Sequence, residues 1–457
     1  MSIINSEIFK AYDIRGIYDQ DFDENFAYQL GLAFVELRQQ DPDYQPDKKL
    51  LIAVAQDMRF SSEILKKELI RSLISAGADV LDLGLISTPT FYFAVSQYNC
   101  QGGLIVSASH NPKEWNGFKL VRSKGAPISG ETGLAFLKNK ILENNFSLAA
   151  TPGKVTLNNQ ALNAETAHTF NFVDSTKIKP FKIVADAANG MGATFLEAIF
   201  AKLPRELIPL NFNLDGSFPA HEADPLKEEN VQQLKKAILE NKADFGITTD
   251  GDGDRIFFLD DRGETINPAI LRGLLAKIFL QEKPGSKIAY DVRPGKITPD
   301  LIKEAGGVPV LSRVGHSLIK EQMLKEDIYF AGESSGHFFL NLATGCFEYP
   351  GIIILKLLAE FSAWPTPLSE YLRRYQKYFS SGEINRVVKD KEKVFEKIKT
   401  NYPDGEISQL DGISISYPEF WFNVRGSNTE PKMRLNLEAI SPEIMVAKRD
   451  EILKFME

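Results

Sequence analysis

Short apolar runs and amphipathic segments alternate along most of the chain. Residues 48–57 have the pattern of a buried strand, 61–78 that of an amphipathic helix ending at glycine, and 79–85 that of the next strand. The same succession recurs within 180–249 and again within 285–315. Strands that alternate with helices of this length predict an α/β fold of mostly parallel sheets covered by helices.

The pattern changes after about residue 371. A helical segment at 392–402 is followed by strand-like runs, which predicts an α+β domain with antiparallel character. The stretch 151–165 has the composition of a linker. A chain of 457 residues is long enough for three or four domains. The expected domains are 1–152, 153–260, 261–371 and 372–457.

Composition excludes several classes of protein. The net charge of −8 and the lack of a basic stripe argue against a nucleic-acid partner. The two cysteines, Cys100 and Cys346, form no CxxC pair, which argues against a structural zinc site. The N-terminus does not resemble a signal peptide, and the apolar run 351–361 is interrupted by Lys356. We therefore expect a cytoplasmic protein that does not associate with membranes.

Four apolar strands break into loops of small and polar residues. These segments are 102–112, 243–255, 327–337 and 420–431. In open α/β sheets, ligands bind beyond the carboxyl ends of the strands. Four such loops, one in each expected domain, could therefore surround one ligand. The alternative, that they are unrelated turns, stays open at this point.

The second loop carries Asp250, Asp252 and Asp254 at alternate positions. Carboxylates this close repel one another unless a cation binds, and oxygen ligands favour Mg²⁺ or Ca²⁺ over zinc. A calcium-binding hand would need glycine at its sixth position and glutamate at its twelfth, where this chain has Arg255 and Asp261. The loop therefore predicts a magnesium site with a phosphate partner, with a solvated acidic turn as the alternative.

The other loops carry groups suited to anions and sugars. Arg425 precedes three side-chain donors and predicts a phosphate cradle, although a capped turn would have the same residues. The third loop offers a carboxylate and a hydroxyl, Glu333 and Ser335, that suit sugar hydroxyls. Three of the five histidines, His110, His316 and His337, fall in such loops. The three donors after Arg425 are Ser427, Asn428 and Thr429.

Seven motifs occur in the order found in the α-D-phosphohexomutases, and the chain resembles that family along essentially its whole length. Within the family it is most similar to bacterial phosphomannomutase/phosphoglucomutase enzymes. The resemblance implies three similar mixed α/β domains and a fourth, α+β domain around a central cleft. The motifs are AYDIRG (11–16), SASHNP (107–112), NGFK (116–119), DGDGDR (250–255), GHSLIK (315–320), GESSGH (332–337) and RGSNTEP (425–431).

The resemblance implies an isomerase that interconverts hexose 6-phosphate and hexose 1-phosphate, with mannose and glucose as the sugars. Ser109 would carry a phosphoryl group and donate it to the substrate, with hexose 1,6-bisphosphate as intermediate and activator. Mg²⁺ would bridge the phosphoserine and the three aspartates, so Ser109 counts among the metal ligands. Lys119 would be a general acid or base, with cationic neighbours that lower its pKa.

The resemblance also assigns binding residues. Arg15, His110 and Arg255 would hold the phosphoryl group and the reacting hydroxyl. Three positions depart from patterns common in the family and bear on sugar preference: Val314, Ser334 and the pair Glu348–Tyr349. The remaining substrate contacts implied are Tyr12, His316, Glu333, Ser335, His337, Arg425, Ser427, Asn428 and Thr429.

Three alternatives stay open. The first is phosphoglucosamine mutase. The second is a metal-dependent sugar phosphatase, which we disfavour because neighbours in an extended loop point apart, so His110 could not easily be the base for Ser109. The third is a non-enzymatic module that binds sugar phosphate or a cation. The chain has no GxxxxGK[ST] loop, so none of these would consume ATP.

Overall fold

The computed structural model describes residues 5–293, 295–426 and 432–456. The chain forms two compact units. The first comprises Met1–Ile266, Met323–Lys325 and Ser335–Leu368, and the second comprises Asn267–Gln322, Glu326–Ser334 and Ser369–Glu457. Within the described part of the chain, no helix combines the length and the apolar character needed to cross a membrane.

The first sheet, in the first unit, mixes parallel and antiparallel pairs. The described strands follow the order β1-β5-β4-β2-β3-β6. β2 runs parallel to β3 and β4, whereas β5 runs antiparallel to β1 and β4. An apolar core of aromatic and aliphatic side chains lies between this sheet and its helices. The elements are β1 (Ile14–Ile17), α1 (Glu24–Gln39), β2 (Leu51–Gln56), α2 (Ser62–Ser75), β3 (Asp79–Leu85), α3 (Thr88–Gln97), β4 (Gly102–Val106), β5 (Trp115–Arg122), α4 (Ala135–Glu143) and β6 (Val155–Leu157).

The second sheet also lies in the first unit. Its described strands have the order β10-β9-β7-β8, with β7 parallel to β8 and β9 and with β10 antiparallel to β9. β9 and β10 are buried along their whole length. The elements are α5 (Ala161–Phe170), β7 (Phe181–Asp186), α6 (Gly192–Phe200), β8 (Arg205–Leu210), α7 (Gln232–Asn241), β9 (Phe245–Thr249) and β10 (Ile256–Leu259).

The segment 268–362 contributes to both units. In the second unit, β11 pairs in parallel with β12 and β13. In the first unit, β14 and β15 form an antiparallel hairpin, and α11 follows it. The elements are α8 (Pro268–Glu282), β11 (Lys287–Asp291), α9 (Ile297–Glu304), β12 (Val308–Ser312), α10 (His316–Glu326), β13 (Phe330–Gly332), β14 (Phe338–Leu342), β15 (Gly345–Glu348) and α11 (Pro350–Ser362).

The C-terminal part of the second unit is an antiparallel sheet with the described order β16-β20-β19-β18-β17. Buried apolar side chains of the central strands pack against two helices. The elements are α12 (Leu368–Arg373), β16 (Phe379–Val387), α13 (Lys391–Asn401), β17 (Glu406–Ser408), β18 (Ile413–Ser416), β19 (Phe420–Gly426), β20 (Lys432–Ala439) and α14 (Pro442–Leu453). The antiparallel character predicted for this part of the chain is confirmed.

The prediction of mostly parallel sheets needs one correction. β4 is followed by the antiparallel β5 after residues 107–114, and β9 is followed by the antiparallel β10 after residues 250–255. A parallel partner would need a crossover of a dozen or more residues, which these short connections do not provide. Two of the four polar loops are therefore hairpin loops, each leaving the carboxyl end of a buried strand.

Candidate active site

Two hairpin loops of the first unit bring Ser109 and the acidic motif together. The Ser109 hydroxyl donates a hydrogen bond to Asp250 Oδ2 at 2.6 Å, although the two residues lie 141 positions apart. Ser109 is buried, and a Cβ on Gly251 would come within 2.5 Å of its carbonyl oxygen. The close approach of the two loops therefore requires glycine at position 251.

The backbone of Ser109 is in the left-handed region, with φ of 51°. This conformation costs a residue with a side chain about 1–2 kcal/mol, so the surrounding loop must hold it in place. The Ser109 amide donates to Ser107 Oγ at 3.1 Å, so the earlier serine of the motif stabilises the loop. Strain of this kind at a buried hydroxyl is a feature of functional sites.

The three aspartates form a buried cluster that could bind a cation. Their nearest carboxylate oxygens all lie within 4.8 Å of one another. Burial, together with the charges of Asp252 and Asp254, raises the pKa of Asp250 to about 8. Asp252 Oδ1 and Asp254 Oδ1 are buried and accept no hydrogen bond from the described residues. An all-oxygen set with unused acceptors and excess negative charge fits a hard divalent cation.

Lys119 pairs with two of these aspartates. Its Nζ lies 2.5 Å from Asp252 Oδ2 and 2.5 Å from Asp254 Oδ2. Burial alone would lower the pKa of Lys119, but the two carboxylates outweigh it and raise the pKa well above its ordinary value. The expectation that cationic neighbours lower this pKa is therefore wrong, and Lys119 is held as an ammonium group.

His110 lies beside the serine. Its Nδ1 is 3.2 Å from Ser109 Oγ, because the left-handed turn at Ser109 brings the two neighbouring side chains to the same side. The argument that an extended loop would point them apart is wrong for that reason. Burial, followed by the charges of Arg255 and Arg15, lowers the pKa of His110 well below its ordinary value. The imidazole is therefore neutral.

Arg15 contacts the loop that carries Ser109, and Arg255 is the last residue of the acidic loop. Arg15 pairs with Asp13, and its Nη1 donates to Asn111 Oδ1 at 2.8 Å. The Arg255 amide donates to Asp250 Oδ1 at 3.1 Å, and the Arg255 Nε donates to His337 Nε2 at 3.2 Å. Both arginines are thus among the groups that surround the serine and the acidic cluster.

His337 also approaches two carboxylates. Its Nδ1 lies 3.6 Å from Asp254 Oδ1 and 3.4 Å from Glu348 Oε1. A histidine with two carboxylates could in principle bind a metal. Here Arg255 Nε donates to Nε2, which assigns the ring proton to Nδ1, the nitrogen that faces the two carboxylates. These residues form a hydrogen-bonded and charged group behind the acidic loop.

The second unit contains a further polar group around Glu333. Glu333 Oε1 accepts from the Gly315 amide at 2.9 Å and lies 3.3 Å from Arg293 Nη2. His316 follows Gly315 as the first residue of α10. Arg293 was not predicted from the sequence. It follows the carboxyl end of β11, and this pattern of apolar strand and polar loop could have identified it.

Arg425 lies near the end of β19, where Glu383 Oε2 accepts from its Nη2 at 3.0 Å. Burial opposes ionisation of Glu383, but Arg425, Arg434 and Arg293 together lower the pKa of its carboxyl. The predicted cradle residues Ser427, Asn428 and Thr429 lie outside the described residues. Tyr12 is half-buried and Ser335 is buried, and both belong to the first unit.

Two further positions of the first unit support the site. Thr88 Oγ1, at the start of α3, donates to Asp252 Oδ2 at 2.6 Å. Arg59, in the motif DMRFSS after β2, donates to carbonyl groups of the loop that carries Ser109. Neither was predicted, although both follow carboxyl ends of strands in the first sheet, where such residues are expected.

Comparison with known proteins identifies the family. Four phosphoglucomutase/phosphomannomutase domains match in order: α/β/α domain I at residues 6–146, α/β/α domain II at 162–263, α/β/α domain III at 267–378 and the C-terminal domain at 383–454. The fold and the site therefore define an enzyme of the phosphohexomutase class.

Relatives match along nearly the whole chain. A phosphomannomutase of Methanocaldococcus jannaschii is 39% identical, over 97% of this chain and 96% of its own. A phosphomannomutase of Escherichia coli is 38% identical, over 98% of this chain and 99% of its own. The chain belongs to the phosphoglucomutase/phosphomannomutase family, whose members are hexose phosphate mutases and therefore isomerases. The family expected from the sequence motifs is confirmed.

Solved structures agree with this assignment. A phosphoglucomutase/phosphomannomutase family protein of Burkholderia thailandensis matches with a TM-score of 0.87 and 30% identity, over 99% of this chain and 97% of that one. An Aspergillus fumigatus N-acetylphosphoglucosamine mutase, solved with GlcNAc-6P and magnesium, matches with a TM-score of 0.62 and 13% identity, over 94% of this chain and 96% of that one. The second likeness concerns the fold alone.

Proposed function

We propose that the protein interconverts hexose 6-phosphates and hexose 1-phosphates, with mannose and glucose as its sugars. The observation that carries this proposal is the buried contact between Ser109 Oγ and Asp250 Oδ2, at 2.6 Å, beside two further aspartates. A hydroxyl next to a cation site is suited to carrying a phosphoryl group, because the cation offsets the charge on that group.

In the proposed reaction, phosphorylated Ser109 first donates its phosphoryl group to the free hydroxyl of a hexose phosphate. The bond from Ser109 Oγ to phosphorus breaks, and the sugar oxygen forms the new bond. The resulting hexose 1,6-bisphosphate reorients and returns its other phosphoryl group to Ser109. One sugar phosphate is converted into its isomer, and the total of phosphate esters is unchanged.

Each half-reaction needs a proton donor for the departing oxygen and an acceptor for the attacking hydroxyl. Lys119 is suited to be the donor, because its two carboxylate partners keep it as an ammonium group. His110 is suited to be the acceptor in the second half-reaction, in which Ser109 Oγ attacks the bisphosphate, because it is neutral and lies 3.2 Å from that oxygen. Arg15 and Arg255 would orient the phosphoryl group by charge-assisted hydrogen bonds.

Asp250, Asp252 and Asp254 would hold Mg²⁺, with Ser109 or its phosphate as a further ligand. The bound ion would act as a Lewis acid that offsets negative charge on the phosphoryl group. The oxygen-only donor set supports this choice. The repulsion among the buried carboxylates, which raises the pKa of Asp250, also supports it, because a bound cation would relieve that repulsion. Magnesium also accompanies the sugar phosphate in the Aspergillus fumigatus mutase structure.

The remaining residues would bind the sugar phosphate, with each domain contributing a loop. Glu333 and Ser335 would bind sugar hydroxyls, and His316, His337 and Tyr12 would be further substrate contacts. Arg425, with the three donors that follow it, would hold the phosphate that is not being transferred. The proposed domains are 1–152 with the phosphoserine loop, 153–260 with the metal loop, 261–371 with the sugar loop and 372–457 with the phosphate loop.

A parallel assay tests the proposal. Purified protein with Mg²⁺ and glucose 1,6-bisphosphate is given mannose 1-phosphate, glucose 1-phosphate or glucosamine 1-phosphate, and both the 6-phosphates and inorganic phosphate are measured. We expect turnover of the mannose and glucose compounds with no net release of phosphate. Preferred turnover of glucosamine 1-phosphate would replace the sugar assignment, and stoichiometric release of phosphate would indicate a phosphatase instead.

A further inference from the structure

We propose that Arg59 is the positioning residue that holds Ser109 in the backbone conformation needed for phosphoryl transfer. Arg59 belongs to the segment Asp57–Ser62 that follows β2, and it touches neither the aspartates of the metal loop nor the Ser109 hydroxyl in the described structure. This role rests on the function proposed for Ser109.

Among the described residues, the hydrogen bonds from the Arg59 guanidinium group to the segment that carries Ser109 all go to backbone oxygens. Its Nη2 donates to the carbonyls of Ser109 at 2.8 Å and Asn111 at 2.6 Å. Its Nη1 donates to the carbonyls of Pro112 at 2.7 Å and Trp115 at 2.9 Å. Four carbonyls spread over seven residues of one loop thus converge on a single planar group.

These contacts fix the turn at Ser109. A single nitrogen bonded to both carbonyls keeps the Ser109 and Asn111 oxygens within about 5.4 Å of each other. In an extended chain, oxygens two residues apart are separated by roughly 6.5–7 Å, because each residue advances about 3.3 Å. The two hydrogen bonds therefore require a turned chain at residues 110 and 111. Ser109 itself, with φ of 51°, is held at both ends, because its amide donates to Ser107 Oγ at 3.1 Å and its carbonyl accepts from Arg59 Nη2 at 2.8 Å.

Arg59 is itself held in place. Its side chain is fully buried, and its Nε lies 3.3 Å from Asp57 Oδ2. Asp57 Oδ1 in turn accepts from the Arg59 amide and from the Ser62 hydroxyl, at 3.0 and 2.6 Å. The ring of Phe218 lies 5.0 Å from the guanidinium carbon. A charge buried this completely, with its donors committed to one loop, is poorly explained by packing alone.

A lysine at position 59 cannot make the same set of hydrogen bonds. An ammonium group is a single point with three donors, whereas the guanidinium fork presents five donors in one plane. We expect Arg59→Lys to keep the charge opposite Asp57 but to lose part of the carbonyl set. The loop would then relax from the left-handed turn, and Ser109 Oγ would move away from Asp250.

The test measures phosphorylation of Ser109 directly. Dephosphorylated wild-type protein, Arg59→Lys and Arg59→Met are mixed with glucose 1,6-bisphosphate and Mg²⁺, and the gain of about 80 Da is followed by intact mass against time. We expect roughly 10- to 100-fold slower phosphorylation in Arg59→Lys and a larger loss in Arg59→Met. KM for hexose phosphate should change less than about twofold in Arg59→Lys, because the residues proposed to bind the sugar lie on other loops.

Arg38→Lys is the matched control. Arg38 is an equally buried arginine of the first unit, and its Nε donates to the Gln101 carbonyl at 2.8 Å, but its hydrogen bonds go to Asp43 and Gln101 rather than to the serine loop. The Arg38→Lys variant should have lower thermal stability than wild type but the same rate of Ser109 phosphorylation. Equal slowing in Arg38→Lys and Arg59→Lys would reduce Arg59 to a general packing role and overturn the proposal.

Hydrogen exchange provides a second measurement that does not depend on the chemistry. We expect Arg59→Lys to increase amide exchange in residues 107–116 and Arg38→Lys to leave it unchanged. If Arg59→Lys is phosphorylated at the wild-type rate and its loop is protected as in wild type, the positioning role is wrong. If wild-type protein itself gained no phosphate while Arg59→Lys still loosened the loop, the proposed function would fail and the positioning of the loop would stand.

Discussion

At the residue scale, the surroundings of Ser109 are what suit it to its proposed function. Its hydroxyl is chemically ordinary, but its backbone is held in the left-handed region and its Oγ contacts a carboxylate whose pKa is raised. Ser107, two residues earlier, accepts the Ser109 amide and has no such contact with the acidic loop among the hydrogen bonds of the described residues. The two serines of one motif therefore have different roles.

The first prediction separates these two serines. Ser109→Ala should lose on the order of a thousandfold or more in turnover, because no other group can carry the phosphate. Ser107→Ala should lose less than about tenfold, since it removes one hydrogen bond that stabilises the loop. Steady-state assays of both variants check this. Near-normal turnover of Ser109→Ala would refute the phosphoserine mechanism.

Glu333 gives a second prediction at the same scale. Its carboxylate accepts from the Gly315 amide and lies near Arg293, so Glu333→Ala removes a proposed sugar contact and disturbs the neighbouring loop. We expect kcat/KM for mannose 1-phosphate to fall roughly 100-fold. Ser109 should still carry phosphate in the purified variant. The exposed Glu304→Ala on α9 is the control, and an unchanged kcat/KM for every hexose phosphate would reject the role of Glu333.

Sequence motifs were informative about residues whose own chemistry is distinctive. The alternate aspartates and the arginine and serine motifs could be singled out because few structural reasons explain such patterns. The protonation of Lys119 and His110 could not be predicted, since it depends on neighbours more than a hundred residues away or on a local backbone turn. Arg59 and Thr88 were missed because their hydrogen-bond partners come from distant segments of the chain. Arg59 donates to loop carbonyls, and Thr88 donates to the carboxylate of Asp252.

At the scale of elements, the site depends on where strands end. β4 and β9 are short, buried strands, and each is followed by a hairpin loop at the carboxyl end of the strand. The alternation of strands and helices was predictable from hydrophobic periodicity. The antiparallel return of β5 and β10 was not, although the short connections would have indicated it.

The start of α3 gives a third prediction, which concerns metal affinity. Thr88 Oγ1 orients Asp252, so Thr88→Val should weaken binding of Mn²⁺ about tenfold, as is common when a group behind a metal ligand is removed. Thr88→Ser keeps the hydroxyl and should bind Mn²⁺ within about threefold of wild type. Calorimetric titration of dephosphorylated protein measures both. Equal affinity in the valine variant and wild type would show that Thr88 does not orient the ligand.

The α5 helix gives a fourth prediction, on stability and pH. Burial raises the pKa of Glu165 to about 7, although its hydrogen bond from Thr90 opposes the shift. The folded protein therefore binds this proton more tightly than the unfolded chain, whose glutamates have a pKa near 4.3. Stability falls as pH rises from about 4 to about 7 and stays low above that. The loss is roughly 4 kcal/mol at most.

Glu165→Gln replaces the carboxyl group with an amide that does not titrate. Relative to wild type, we expect the variant to unfold at a higher temperature at pH 8 and at a similar temperature at pH 5. Thermal unfolding at the two pH values checks the prediction, with the exposed Glu197→Gln on α6 as the control. A difference between variant and wild type that is the same at both pH values would contradict it.

At the scale of the whole molecule, the proposed catalytic residues and the proposed substrate residues are distributed over two compact units. The first unit holds Ser109, the aspartates and Lys119, and the second holds Glu333 and Arg425. The family assignment follows from motifs spread over the whole chain, which is why it could be made from sequence. The preference among sugars could not, since it depends on how loop residues such as Ser334 and Val314 meet the substrate.

Transfer of labelled phosphate tests the central claim most directly. Protein carrying radioactive phosphate on Ser109 is mixed with excess mannose 1-phosphate in the presence of Mg²⁺, and the label is followed over the first turnovers. We predict that the label leaves the protein and enters hexose bisphosphate and hexose monophosphates, with none released as inorganic phosphate. Label that remains on Ser109 during turnover, or that is released as inorganic phosphate at the rate of turnover, would contradict the account.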